Sequence, residues 1–171
     1  MRFRLFKGIL RSGYQAWSLC LITAILCISS QAQKTASCTA TELDVAPSST
    51  DAGMGKAEIT FSVSNVGSRS CTLTGIPKID VIGKSNRRLQ LTKRPARQEP
   101  ASITSSVVLK AGQRASFSIA FGSSNSYPPG ECPERATAIV VHFPKSMQTK
   151  KVNIELDVCT RLVVSPFADG S

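Results

Sequence analysis

Apolar and polar residues alternate along this chain with a period of two, and no other feature limits its fold as strongly. In residues 57–65, Ile59, Phe61 and Val63 face one way and Glu58, Thr60, Ser62 and Ser64 the other. Residues 115–121 repeat the pattern, with Phe117, Ile119 and Phe121 against Ser116 and Ser118. Residues 151–158 do so again, with Val152, Ile154, Leu156 and Val158 against Asn153, Glu155 and Asp157. Successive side chains of a strand point to opposite faces, so each run is a half-buried strand. Shorter apolar or alternating runs occupy 41–45, 76–82, 89–92, 106–110, 138–143 and 162–164. Beyond residue 32 no segment sustains a helical period over three turns.

Turn chemistry separates the runs. Residues 47–55 are rich in Pro, Ser, Asp and Gly, and Asn65-Val66-Gly67-Ser68 and Ala111-Gly112 suit positive φ. Residues 123–133 hold Pro128, Pro129, Gly130 and Pro133, too many breakers for regular structure. About nine short strands with turns between them predict an all-β fold, an antiparallel immunoglobulin-like β-sandwich. Residues 33–171 suit a single domain of this kind, with 95–102 as a long loop.

The first 32 residues have a different character. Arg2, Arg4, Lys7 and Arg11 form a basic start without an acid, and 16–28 is apolar apart from Ser18 and Thr23. Ser30-Gln31-Ala32 places small residues at the −3 and −1 positions of a cleavage site, so 1–32 reads as a cleavable signal peptide ahead of Gln33. The apolar stretch falls short of the ~20 residues that a spanning helix needs. Leu19 and Leu26 precede Cys20 and Cys27, where lipid attachment needs a small residue. The expected product is exported, periplasmic or secreted, with no membrane span after cleavage.

Four cysteines remain after cleavage: Cys38, Cys71, Cys132 and Cys159. An even number outside the reducing cytosol implies two structural disulfides. Of three possible connectivities, Cys38–Cys71 and Cys132–Cys159 join the nearest neighbours and tie loops to strand ends. Such bridges suit a core with five Phe, one Tyr and no Trp after residue 32.

The spacing in Cys71-Thr72-Leu73-Thr74-Gly75-Ile76-Pro77 resembles the Cys-x-Leu-x-Gly-x-Pro element of an uncharacterised family of exported bacterial domains, domain of unknown function 4232. The resemblance runs from Cys38 and Leu43 through the strand ending at Asn65 and the Ala111-Gly112 turn. It continues over Cys132-Pro133, Pro144 and Cys159 to the closing Leu162-Val163-Val164-Ser165-Pro166-Phe167. The family usually has an aromatic where this chain has Ile76. The resemblance implies an exported β-sandwich with two disulfides, and it implies no activity and no site residues.

Residues that could carry chemistry are few. The one histidine, His142, lies on the strand 138–143 opposite Ile139, Val141 and Phe143, and reads as a surface or edge-strand residue. There is no Gly-x-Ser-x-Gly elbow and no Ser-x-x-Lys pair. The cysteines lie 33, 61 and 27 residues apart, unlike zinc ligands. His142 and Met147 are separated by Pro144, and the 11 acids are scattered, so neither copper nor calcium is expected. Glu131 and Glu134 flank Cys132 in a Pro-rich loop and read as solvated. Tyr127 is the one aromatic available as a sugar platform. No cofactor and no metal are expected.

One charge feature is asymmetric. Lys84, Arg87, Arg88, Lys93, Arg94 and Arg97 follow one another without an acid before Glu99. The chain's net charge of +10 falls to +6 when the four signal cations are removed, which suits anionic partners. The run reads either as protection of a sheet edge or as a patch for an anionic partner. No aromatic interleaves it, so nucleic acid is not the expected partner. The leading expectation is a non-catalytic exported interaction module, acting at the cell envelope on another protein or an acidic polymer. The alternatives are a hydrolase using distant carboxylates and a purely structural envelope domain.

Overall fold

The computed structural model describes residues 35–95, 106–123, 132 and 135–170. Within them lie β1 (Leu43–Gly53), β2 (Lys56–Asn65), β3 (Cys71–Thr74), β4 (Lys78–Gly83), β5 (Thr92–Pro95), β6 (Ser106–Leu109), β7 (Arg114–Ser123), β8 (Ala136–His142), β9 (Thr149–Leu156), β10 (Val158–Val164) and β11 (Ala168–Asp169). β2 and β7 carry strong alternation and sit side by side. Their register sets Ile59 beside Ile119 and Phe61 beside Phe117, so the apolar positions share one face. Around this pair the larger sheet runs β1-β2-β7-β10-β5, with β11 pairing to β7. β4, β8 and β9 form a three-stranded sheet, and β3 pairs with β6.

A single buried cluster draws on all three sheets, with Phe61 and Phe117, Leu73 and Leu109, and Ile79, Val141 and Val152 among its members. Four phenylalanines run through it in contact. Phe61 stacks on Phe117 with ring centroids 5.1 Å apart, Phe117 meets Phe167 edge-on at 5.8 Å, and Phe167 stacks on Phe143 at 6.2 Å. These offset and edge-on arrangements suit the aromatic quadrupole.

The architecture is all-β and almost wholly antiparallel. Among the described strands β5 runs parallel to β10, and Ser37 makes a parallel bridge to Thr72 in β3. A tight hairpin forces antiparallel pairing, but β5 and β10 are far apart in the chain, so no turn dictates their sense. Residues 47–55 are not the irregular loop that their composition predicts. β1 continues to Gly53, paired with β2 throughout and carrying a register shift between Pro47 and Ser49. It lies at the sheet edge, where proline costs least. The turn itself is only Met54 and Gly55, with φ of 49° and 76°, the positive pair of a type I′ hairpin. The alternating run 151–158 divides between two sheets. Leu156 pairs with Ala136 in the three-stranded sheet, and Val158 pairs with Ser123 in the larger one.

Both disulfides form with the expected partners, Cys38–Cys71 and Cys132–Cys159. The first pins residues 36–38 alongside β3, where Cys38 N–H donates to Thr72 O at 3.1 Å and Thr72 N–H donates to Ala36 O at 2.9 Å. Asn65, fully buried at the end of β2, ties this corner to β6. Its Nδ2 donates to Arg69 O at 2.8 Å and Leu109 O at 3.1 Å, and its Oδ1 accepts from Gly67 N–H at 3.0 Å. Every polar atom of the buried amide is therefore engaged, as burial requires. Residues 1–32, 96–102, 124–131 and 133–134, which include the expected signal peptide and much of the two expected loops, lie outside the described residues. No helix among the described residues is long and apolar enough to cross a membrane.

Glu42 closes the same corner. Arg69 donates to Glu42 Oε1 at 2.5 Å and Oε2 at 2.9 Å, and the N–H and hydroxyl of Thr39 donate to Oε2 at 3.0 and 2.8 Å. The Arg69 hydrogen bond, then those from Thr39, lower the Glu42 pKa from 4.5 to about 2. The carboxylate's contribution to stability is therefore complete above pH 4.5 and is lost as pH falls toward 2. Glu42→Gln removes that contribution, so its melting temperature declines less steeply than the wild type's across this window. Parallel decline of the two proteins would show that the acid sensitivity arises elsewhere.

Candidate functional site

The basic run predicted from the sequence does not stay on one sheet. After β4 the chain reverses through residues 84–87. Asn86 N–H donates to Gly83 O, Gly83 N–H to Arg87 O and Leu89 N–H to Val81 O, at 2.9, 2.9 and 2.8 Å. Asn86 takes a φ of 56°, which asparagine tolerates in tight turns. Arg88 thereby lies beside Ile82 and extends the three-stranded sheet. Lys84, Arg87 and Arg88 are brought together and exposed on this hairpin. Lys93 and Arg94 belong to β5, on the opposite edge of the larger sheet from β1, and their side chains fall outside the described set. Arg97 lies outside the described residues, as do Glu131, Glu134 and Tyr127.

The structure adds an acidic anchor to the hairpin. Asp80 lies in β4 with its side chain 3% exposed, and its Oδ2 takes Arg88 Nη2 at 2.6 Å and His142 Nε2 at 2.9 Å. Strand register explains the convergence. Lys78 pairs with His142 and Asp80 with Val140, so Asp80 sits diagonal to His142 on the same face. Arg88, opposite Ile82, reaches the same carboxylate from the other side. A buried carboxylate is tolerable only with such compensation. The contact also fixes the Arg88 guanidinium, which remains 54% exposed.

His142 is not on an edge strand. β8 is the middle strand of its sheet, flanked by β4 and β9. The expected alternation stands: Ile139, Val141 and Phe143 are buried, and His142 lies on the other face, half-buried. An aspartate beside a histidine provides the orienting half of a nucleophilic site. Here no hydroxyl or thiol among the described residues hydrogen-bonds to His142, whose one polar partner is Asp80. No group of three or more His, Cys, Asp or Glu side chains converges among the described residues. Met147 is fully exposed. What the cluster provides is a positive, geometrically fixed surface above a buried negative charge.

Residues 38–168 match the model of a protein family described as a domain of unknown function, DUF4232. The chain belongs to this family. The match covers the described β-strands from β1 to β10, both disulfides, and the Asp80 cluster of this DUF4232 domain. No curated protein and no solved structure matches it.

Sequence reasoning passed over Asp80. The signal was present as a lone acid within the apolar run Ile79, Val81 and Ile82. Its partners were hidden, since His142 is 62 residues away and meets Asp80 only through strand pairing.

Proposed function

We propose that this chain is a non-catalytic exported interaction module that holds an anionic polymer at the cell envelope or in the extracellular space. An N-terminal signal helix would direct it there, and an immunoglobulin-like sandwich would carry the binding surface. The observation that carries this reading is the hairpin with Lys84, Arg87 and Arg88, in which Asp80 fixes one guanidinium while leaving it accessible. Two disulfides suit an oxidising compartment. The single buried core and the absence of a nucleophile on the Asp80–His142 pair, among the described residues, suit a scaffold better than an enzyme.

The test replaces Lys84, Arg87, Arg94 and Arg97 with serine. Arg88 is kept because removing it would strand the buried Asp80 carboxylate and confound the result with misfolding. Binding of the purified protein to linear acidic polymers at low salt is expected to weaken roughly tenfold or more, with the melting temperature nearly unchanged. Wild-type protein that binds no acidic polymer at low salt, or a variant that binds as well as wild type, would overturn the reading.

A further inference from the structure

Three features compete for a further role. The fully exposed Met54 and Met147 lie at separate turns, Met54 between β1 and β2 and Met147 between β8 and β9, so they form no shared apolar patch. The Asp80–His142 pair lacks a nucleophile among the described residues. The outer side of the β4–β8–β9 sheet, by contrast, carries exposed lysines that make no ion pair among the described residues, and it borders the Arg88 hairpin.

The register defines that face. Lys78 lies beside His142, which lies beside Thr149. One step further, Asp80 lies beside Val140, and Val140 beside Lys151. Next, Ile82 lies beside Ala138, and Ala138 beside Asn153. Directly paired residues project from the same side of a sheet. The opposite side holds Ile79, Val81, Ile139, Val141 and Val152 in the core, so Lys78, Thr149, Lys151 and Asn153 lie exposed on the outer side, where Asp80 and Ala138 are themselves buried. Lys78 and Lys151 are exposed and make no ion pair among the described residues. Arg88 borders this face at Ile82 and continues it into Lys84 and Arg87.

The balance of charge is lopsided. Asp80 is buried and compensated by Arg88. Glu155, further along β9, is occupied by Arg135 at 3.0 Å, and Asp157 takes the same arginine at 3.1 Å. That leaves Lys78, Lys151, Lys84, Arg87 and the exposed part of Arg88 to act outward, with His142 among them.

We propose that this face, and not the hairpin alone, binds a linear phosphate-bearing polymer. The inference rests on the proposed function and assigns its surface and ligand chemistry. Lys78 on β4 and Lys151 on β9, separated by β8, together with the bordering hairpin cations, give an extended polyanion several spaced contacts at once. Guanidinium and ammonium groups together suit phosphate, through fork-like donors and point charges respectively. The exposed large apolar residues among those described are Met54, Val66, Val108 and Met147, and none lies on β4, β8 or β9. Among the described residues, β4, β8 and β9 therefore present neither an apolar wedge for a lipid surface nor an aromatic platform for bases.

The experiment titrates purified protein with inorganic polyphosphate across a salt series. Lys78→Ser with Lys151→Ser is expected to weaken binding about tenfold and to flatten the logarithmic salt dependence by roughly one to two. Lys78→Arg with Lys151→Arg retains binding and shows that the loss is one of charge. A control of equal charge change, Lys56→Ser with Lys110→Ser, lies outside this sheet and stays close to wild type. The proposal is overturned if that control loses as much affinity, or if the Lys78/Lys151 serine variant binds as wild type does. In the second case the hairpin reading survives. Equal affinity for polyglutamate, or tighter binding to anionic phospholipid vesicles, overturns the phosphate-polymer assignment. If the wild type binds none of these probes, the proposed function fails with it.

Discussion

Phe117→Ala is expected to lower the free energy of unfolding by about 4 kcal/mol. Phe117 is 2% exposed and sits in the middle of the aromatic chain, stacked on Phe61 at 5.1 Å and edge-on to Phe167 at 5.8 Å. Truncation removes the ring's transfer free energy and two aromatic contacts, and it leaves a void between sheets that cannot close without moving β2 or the 165–167 segment. Phe167 also touches two rings, whereas Phe61 and Phe143 each touch one. For a domain of this size the loss corresponds to a melting temperature lower by roughly 10–15 °C. Phe117→Leu keeps most of the volume and is expected to lose less than half as much. Chemical denaturation of both variants measures the difference. A loss below about 1 kcal/mol for the alanine variant would mean that the sheets do not depend on this ring.

The second large effect lies at the other kind of cross-link. Cys38→Ala with Cys71→Ala is expected to destabilise by about 3–4 kcal/mol, since the bridge closes a loop of 33 residues in the unfolded chain. Both cysteines are buried, at 3% and 0% exposure, so the apolar alanines fit the site without stranding a polar group. The native-state consequence is local as well. Residues 36–38 are held to β3 by this bond and by two backbone hydrogen bonds, and the Glu42–Arg69 contact follows within the next turn. Hydrogen exchange at Cys38 and Thr72 should therefore rise more than exchange in β2 and β7. Removing Cys132 and Cys159, which close 27 residues, is expected to cost a similar amount of chain entropy without loosening that corner. Unchanged denaturation of the Cys38/Cys71 variant would show that the packed corner holds without its covalent tie.

The strands that the sequence displays most clearly are those with one buried face. Ile59, Phe61 and Val63, and Phe117, Ile119 and Phe121, alternate with hydroxyl-bearing residues and are all buried. The distal half of β1 is invisible to the same reasoning because Ala46 through Gly53 is exposed on both faces and so lacks contrast. β3 is only four residues long, too short for a period to register. The division after Leu156 leaves no trace, because the alternation continues unbroken while the pairing partner changes. The disulfide pairing was within reach of sequence because each partner is a near neighbour. The candidate site was not. The basic run is contiguous in sequence, but its described part, 84–95, is shared between two sheets, whereas Asp80, Arg88 and His142 are separate in sequence and meet in space. Pairing across strands is set by tertiary packing, which a linear pattern does not encode.

The outermost position of β1 has a consequence for how the molecule meets its neighbours. A long bordering strand offers its free amides and carbonyls to any extended segment that drifts past. Here the register shift between Pro47 and Ser49 breaks that row, and Pro47 lacks an amide proton to offer. A second polypeptide that docks along this margin therefore meets an interruption at Pro47, and edge-to-edge pairing of copies through β1 is disfavoured.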